Sequence, residues 1–436
     1  MPAFPISLLW TDMMIWGLFL SIVLWVGILG KDLQVKKKWH AVFQSKIAMI
    51  SGIILILYCL VALIDSVQIH QAMGGTKTLL DLALYSLNDG VERTYSAPFA
   101  LVEYNKSLQV SAEGISSQIY LPLQFVEVNY NFVLESLIGL VQGLVVAGVL
   151  IGLHLFWRSR VTQKNAVELP WSTAYITLLI IFAFIGWMLH LSNFVYVMGT
   201  DKVGSDVLYG AIKSIRTGVL IGVLTTIVTL PLAIVLGITA GLLRGWVDDV
   251  IQYIYTTLNS IPGVLLIASA VLVMQTIMTN NPDWFSTTEE RADIRLLFLV
   301  LILGITSWTG LCRLLRAETL KISQVEYVDA AKAFGVSRFK IITRHIMPNL
   351  MHIILITLVL DFSGLVLAEA VLSYVGVGVD STMHSWGNMI NQARLEMARE
   401  PMVWWSLLSA FFFMFLLVLA ANLFADRVQK VLDPRR

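Results

Sequence analysis

Charge is what this 436-residue sequence has least of: Asp, Glu, Lys and Arg together make up 14%, against about a quarter in soluble domains. Neither sign dominates, and a formal net charge of +1 argues against a general nucleic-acid binder. Cysteine is nearly absent. Cys59 and Cys312 lie far apart, in or at the edge of apolar runs, which excludes a disulfide framework or a thiolate metal site and leaves both as packing residues. No G-x-x-x-x-G-K-[ST] occurs; "GGTKT" at 74–78 lacks the glycine before its lysine, so the chain has no phosphate loop with which to hydrolyse ATP. None of the seven histidines has H-x-x-x-H or H-E-x-x-H spacing, and His154 and His190 stand singly in different apolar runs. No metal ligand set and no catalytic residue are expected. Residues 1–10 hold no base, and Lys31, Lys36, Lys37 and Lys38 follow the first apolar run rather than precede it. That order is the reverse of a cleaved signal peptide and predicts a retained anchor with its N-terminus outside.

What the sequence does have is apolar length. Hydrophobic residues reach 57% and mean hydropathy is +0.77. Roughly twenty residues at 1.5 Å rise cross a hydrocarbon layer. Nine runs qualify, near 11–29, 46–65, 132–157, 171–195, 211–242, 250–278, 294–312, 350–376 and 403–425. The fold class expected is an all-α multi-pass membrane protein. The basic segments 31–46, 158–164, 313–344 and 427–436 all fall on one side under this count, as the positive-inside rule requires. Met1 is therefore expected outside and Arg436 in the cytoplasm. The opposite side receives segment 66–131, either a small domain with a strand in "YLPLQFVEVNYNF" or an extended loop packed on the membrane part.

The longest expected cytoplasmic loop holds "VEYVDAAKAFGVSRFKIITRHIMPNL", residues 325–350. Its periodicity predicts a short helix with Tyr327, Ala331 and Phe334 on one face, ended by Gly335 in the left-handed conformation. Ser337 is expected to cap a second helix with Phe339, Ile342 and Ile346 on one face and Arg338, Lys340 and Arg344 elsewhere. Pro348 suits the first turn of the next span. Composition alone allows an amphipathic hairpin lying on the bilayer, with its bases at the headgroups.

"DAAKAFGVSRFKIITRHIMP" resembles the cytoplasmic loop of ATP-binding-cassette (ABC) importer permeases, Glu-Ala-Ala, three residues, Gly, nine residues, Ile-x-Leu-Pro. The pattern falls on Asp329, Ala330, Ala331, Gly335, His345, Met347 and Pro348, with Asp, His and Met as departures. The ending resembles the dipeptide/oligopeptide/nickel branch. So do "GTDKVGSDVLYG" (199–210), with Ser205 where that branch has Arg, and "LAEAVLSYVGVGVDSTMHSWGNMI" (367–390). The resemblance covers about 195–436. It implies a type I ABC importer permease core of six helices over 171–436, with 1–170 as an extension of three more helices and extracytoplasmic loop 66–131. It also implies an inner-membrane complex with a homologous second permease, two ABC ATPases that bind the ATP and Mg, and an extracytoplasmic solute-binding protein. Membrane lipids surround it, and no nucleic acid or cofactor is expected on this chain. Glu326, Tyr327, Asp329, Ala330, Ala331, Gly335, Arg344, His345 and Pro348 would then form the ATPase-coupling site within 325–348. The solute implied is a di- or oligopeptide or a similar small molecule, moved by alternating access.

Asp361 and Glu369 stand within one apolar run, eight residues and about 80° of azimuth apart on a helix. Acids at that depth line a translocation path or are bonded to protein. Both readings stay open. Two rival functions do as well: a proton-coupled secondary transporter using Asp361 and Glu369, and a non-transporting membrane scaffold or sensor.

Overall fold

The computed structural model of the chain describes residues 6–7, 9–29, 33–70, 76–88, 90–110, 116–127, 129–161, 169–285 and 287–432. Met1, Lys31, Lys164, Arg436 and the glycines of "GGTKT", which entered the reading of sidedness and motifs, lie outside these. In chain order the helices are α1 (Trp10–Leu29), α2 (Leu33–Phe43), α3 (Lys46–Asp65), α4 (Leu79–Ala83), α5 (Tyr85–Asn88), α6 (Phe132–Val161), α7 (Trp171–Leu191) and α8 (Val207–Leu243). They continue with α9 (Trp246–Ser260), α10 (Gly263–Asn280), α11 (Thr288–Ile322), α12 (Glu326–Ala333), α13 (Arg338–Ile341), α14 (Met347–Tyr374), α15 (Trp386–Glu396) and α16 (Trp405–Leu432). Among the described residues, eight helical stretches are long and apolar enough to cross a membrane, and α1 adds a shorter apolar run over Trp10–Leu24. The expected all-α multi-pass class is the one found.

One expected span differs. The run 250–278 is broken into α9 and α10, because Ile261 takes an extended conformation (φ −92°, ψ 132°) ahead of Pro262. A residue before proline is pushed out of the helical region. What reads as one apolar stretch is an amphipathic 15-residue helix followed by an 18-residue span.

Two compact units make up the chain. The first comprises Met1–Leu8, Trp39–Thr217 and His384–Ala420. Within it α6 and α7 pack backbone to backbone. A Cβ on Gly143 would strike the Phe182 carbonyl and one on Gly186 would strike Gly143, so only glycine allows this approach. His190 Nε2 and Glu135 Oε2, 2.9 Å apart, tie the same pair, while His154 Nδ1 meets the Tyr175 hydroxyl at 2.9 Å. Neither histidine stands alone. Cys59 is exposed on α3 rather than packed, whereas Cys312 is fully buried.

The described residues of 66–131 form the short helices α4 and α5 and contribute strands to two small sheets. Strand β2 (Gln68–His70) lies between β1 (Ile6–Ser7) and β3 (Thr76–Thr78), and β4 (Ser107–Val110) pairs with β5 (Ser116–Ile119), all antiparallel. Among the described residues of 120–132 the expected strand is absent. Beyond β5 that stretch keeps a single bridge, Val102 to Pro122, since proline has no N–H to give a ladder. The loop's polar groups turn inward. The buried Glu92 carboxylate accepts from the backbone N–H groups of Gln124 (3.0 Å) and Phe125 (2.8 Å). Tyr104 donates to the Met402 carbonyl at 3.0 Å, and the Trp405 indole donates to Thr200 at 2.9 Å.

The second unit comprises Leu9–Lys38, Gly218–Met383 and Ala421–Arg436. Its α1 is held to α11 where the Thr11 N–H and hydroxyl both donate to the buried Asp293 carboxylate. One core in it joins α8, α9, α11 and α14 to the 325–348 hairpin through Leu311, Leu315, Val328, Ile341, Ile346 and Leu350.

Candidate functional site

The hairpin is built on one complete C-terminal cap. Gly335 sits at φ +73°, its N–H donates to the Lys332 carbonyl at 3.0 Å, and the Val336 N–H donates to Ala331 at 3.1 Å. These two bonds form the Schellman pattern, which needs a left-handed residue and so favours glycine. Val336 and Ala331 both pack on the core beneath, closing the motif with an apolar contact. The expected role of Gly335 is the observed one.

The expected faces are not. Val328, fully buried, anchors α12, with Ala331 half-buried beside it. Tyr327, Ala330 and Phe334 point outward, and Phe334 is 87% exposed. Past the turn, Ser337 makes no side-chain cap, and Phe339 is 77% exposed. The buried residues there are Ile341 and Ile346, five apart. The reason is a π turn over Ile342–Ile346, closed by the Met347 N–H on the Ile342 carbonyl. A π turn takes in one residue more than an α turn, so a 3.6-residue count puts the wrong side chains inward. Pro348, which lacks the N–H an α turn would need here, follows at once.

Polar contacts hold the hairpin in shape. Lys332 Nζ reaches the Ser323 carbonyl (2.8 Å) and Asp329 (2.9 Å), the second an exposed pair. Asn349 Nδ2 donates to the His345 carbonyl (2.7 Å) and the Tyr327 hydroxyl (2.9 Å), and the Tyr327 and His345 rings lie 5.9 Å apart. Asn349 thus links α12 to α14. It was missed as a site residue, although an Asn directly after the span's Pro348 was a readable signal. Beneath, Arg316 grips Asp248 with two hydrogen bonds of 2.5 and 2.7 Å, and this bonding holds the Asp248 carboxyl below its usual range. Glu326 and Arg344 are exposed on the same hairpin.

The two intramembrane acids part company. Glu369 is buried and accepts from the Ser373 hydroxyl at 2.7 Å. Asp361 is half-buried midway along α14, and among the described residues no hydrogen bond or ion pair reaches it.

Sequence reasoning passed over a third charged group in the first unit. Lys213 Nζ lies 2.6 Å from Asp65 and 2.8 Å from Asp81, with side-chain exposures of 10%, 3% and 10%. Thr78 donates to Asp65 at 2.7 Å and forms a capping box with Asp81, and Tyr209 donates to Asp81 at 2.8 Å. Burial alone would raise the Asp81 carboxyl, but the Lys213 charge and these hydrogen bonds hold it below its usual range. A lone lysine two turns into an apolar helix was the available signal. Among the described residues no group of acids, histidines and cysteines could hold a metal ion.

Residues 233–436 match the family model described as binding-protein-dependent transport system inner membrane component. The oligopeptide transport system permease protein OppC of Escherichia coli K12 is 30% identical over 240 residues, 55% of this chain and 72% of that protein. The dipeptide transport system permease protein DppC of Bacillus subtilis is 28% identical over 237 residues, 54% of this chain and 68% of that protein. The glutathione transport system permease protein GsiD of Pectobacterium atrosepticum is 28% identical over 297 residues, 64% of this chain and 90% of that protein. A chain of the MetNI methionine ABC transporter, solved in inward-facing conformations, covers 52% of this chain and 95% of its own length at 14% identity, with a TM-score of 0.39, too low to bear on the fold.

Proposed function

The chain belongs to the binding-protein-dependent transport system inner membrane components, the permeases of ABC importers, and from this we propose that it carries peptides or similar small solutes across the cytoplasmic membrane. Three relatives named for oligopeptide, dipeptide and glutathione transport support the peptide class. The hairpin 325–348 is the ATPase-coupling site. The observation that carries this is Phe334 and Phe339 standing in the open on a rigidly capped turn. An apolar ring so exposed gains little from water and much from a partner's groove. Ala330 beside them leaves room for that partner's close approach.

In the assembled importer a homologous permease completes the path, two ATPases bind ATP and Mg inside, and a solute-binding protein delivers from outside. The sidedness follows the basic segments, with the C-terminus cytoplasmic. Residues 171–436 form the core and 1–170 the extension. Closure of the ATPases moves the hairpin and turns the cavity outward. Asp361, which has no hydrogen-bond or ion-pair partner among the described residues, faces the path and receives the cationic amino terminus of a peptide, while Glu369 serves the structure of α14.

Purification from native membranes tests the assignment. Two ATPase subunits should accompany the permease pair in stoichiometric amount, and uptake should stop when ATP is withheld. A chain that purifies without an ATPase and moves solute on a proton gradient would overturn it.

A further inference from the structure

The first unit encloses a cavity of about 470 Å³ at the end of its spans that carries segment 66–131. It lies among α3, α4, α7, α8 and α16, with Tyr58, Leu84, Ile180, Met188, Ile212 and Phe413 in its wall. No lining residue is charged. The single hydroxyl, on Tyr58, already donates to the Phe413 carbonyl at 2.9 Å. A polar solute or a water entering here would give up its hydrogen bonds and find no replacements. An empty space would forfeit dispersion contacts around the whole lining.

The mouth is continuous with the bilayer-facing surface: Ile180 and Phe184 of α7 and Phe412 of α16 line the cavity and are exposed. Hydrocarbon is therefore the material at the opening. A protein helix about 10 Å across would fill the space within roughly one turn, so the shape suits a thin flexible chain instead. We propose that this cavity is a binding site for one acyl chain of a membrane phospholipid. This rests on the chain spanning the membrane and not on its role in transport. The acyl chain is held on one side by α3 and roofed by Leu80 of α4 and by Leu84 just after it. That helix also carries Asp81, so the lipid supports the element that brings Asp81 to Lys213.

The test reconstitutes the full-length chain in phosphatidylglycerol vesicles doped with a phosphatidylglycerol bearing a diazirine midway along one acyl chain. After irradiation and digestion, labelling at Met188, buried in the cavity wall, is compared with labelling at Val145, exposed on α6, and at Leu191, buried on α7 outside the cavity. Met188 should be labelled about as strongly as Val145, although its surface is closed to bulk lipid, and about tenfold above Leu191. Ile212→Trp, which fills the cavity, should bring Met188 down to the Leu191 level without altering Val145. Should that variant fail to insert, Ile185→Phe fills the same space from α7 and must give the same loss. Labelling of Met188 no higher than at Leu191 in the unaltered chain, or undiminished in an inserted filling variant, would overturn the site.

Discussion

Two of the polar segments between the apolar spans of this chain treat their side chains in opposite ways. In 325–348 the rings of Phe334 and Phe339 face outward, and the one ion pair within it, Lys332 with Asp329, lies open to water. In 66–131 Asp81, Glu92 and Glu103 are turned inward; Glu92 accepts from backbone N–H groups, Glu103 accepts from the Ser107 hydroxyl, and Asp81 with Asp65 beside it meets Lys213. A segment that exposes apolar rings and leaves its charges outside has kept its binding free energy for a partner. A segment that buries its charges has spent them on its own fold. On the coupling role proposed for 325–348, the difference separates a surface for docking from a clamp, and substitutions in each should therefore fail differently.

The largest effect is expected in the clamp. Lys213→Ala leaves Asp65 and Asp81 facing each other without a cation. Removing one member of a buried pair costs about 3–5 kcal/mol, so the purified chain should melt at a clearly lower temperature. The triple change Lys213→Met, Asp65→Asn and Asp81→Asn removes the charges together and should recover part of the loss. A Lys213→Ala chain that melts like the original would show that the inward charges are not a clamp.

The docking surface should behave the other way. Phe334→Ala removes an exposed ring, and its melting temperature should stay where it was. Central apolar anchors of interfaces cost about 2 kcal/mol or more when truncated, roughly 30-fold in ATPase affinity. Gly335→Pro goes further, because proline fixes φ near −65° where the turn needs +73°. Transport should be lost while the protein remains inserted. Normal ATPase binding in Phe334→Ala would sink the contrast from its other end.

A smaller effect, counted per pH unit, is expected at Asp206, just before α8. It is buried, accepts from the Leu208 N–H at 2.7 Å, and burial pushes its carboxyl up to about 7. The folded chain then holds this proton more tightly than the unfolded chain does. Stability from this group should fall as pH rises from about 4 to about 7 and level off above, with a slope of at most about 1.4 kcal/mol per pH unit. Asp206→Asn, which stays neutral, should flatten that slope in melts taken across the range. A slope unchanged by the substitution would remove Asp206 from the account.

Much of the architecture was legible because apolar length is a one-dimensional signal. The glycine at 335 was legible because its role is local, set by the turn it must make. The hairpin's faces were not, since the 3.6-residue count fails across the π turn and puts Phe339 where Ile341 belongs. The break at Ile261 was written in Pro262 but masked by apolar residues on both sides. The Lys213 clamp draws on residues 65, 78 and 81, more than 130 positions away in sequence, and no periodicity reports such a meeting. What could be read was the lone lysine, without its partners.

The smallest expected effect tests how the hairpin is held rather than what it meets. Asn349 joins α12 to α14 by two hydrogen bonds, to Tyr327 at 2.9 Å and to the His345 carbonyl at 2.7 Å, on an exposed surface where water competes for both. Asn349→Ala should therefore cost only about 1 kcal/mol. Ser337, whose hydroxyl makes no cap, should tolerate Ala with a change within about 0.5 kcal/mol. The pair separates two accounts of the turn. If shape is set by the Asn349 bridge, its loss should loosen α12, raising amide exchange at Val328 and Asp329 while Ser337→Ala leaves exchange alone. If the Gly335 cap suffices, neither substitution should alter exchange, and ATPase affinity should be the same in both. Raised exchange in Ser337→Ala with none in Asn349→Ala would contradict the hydrogen-bond assignment on both counts.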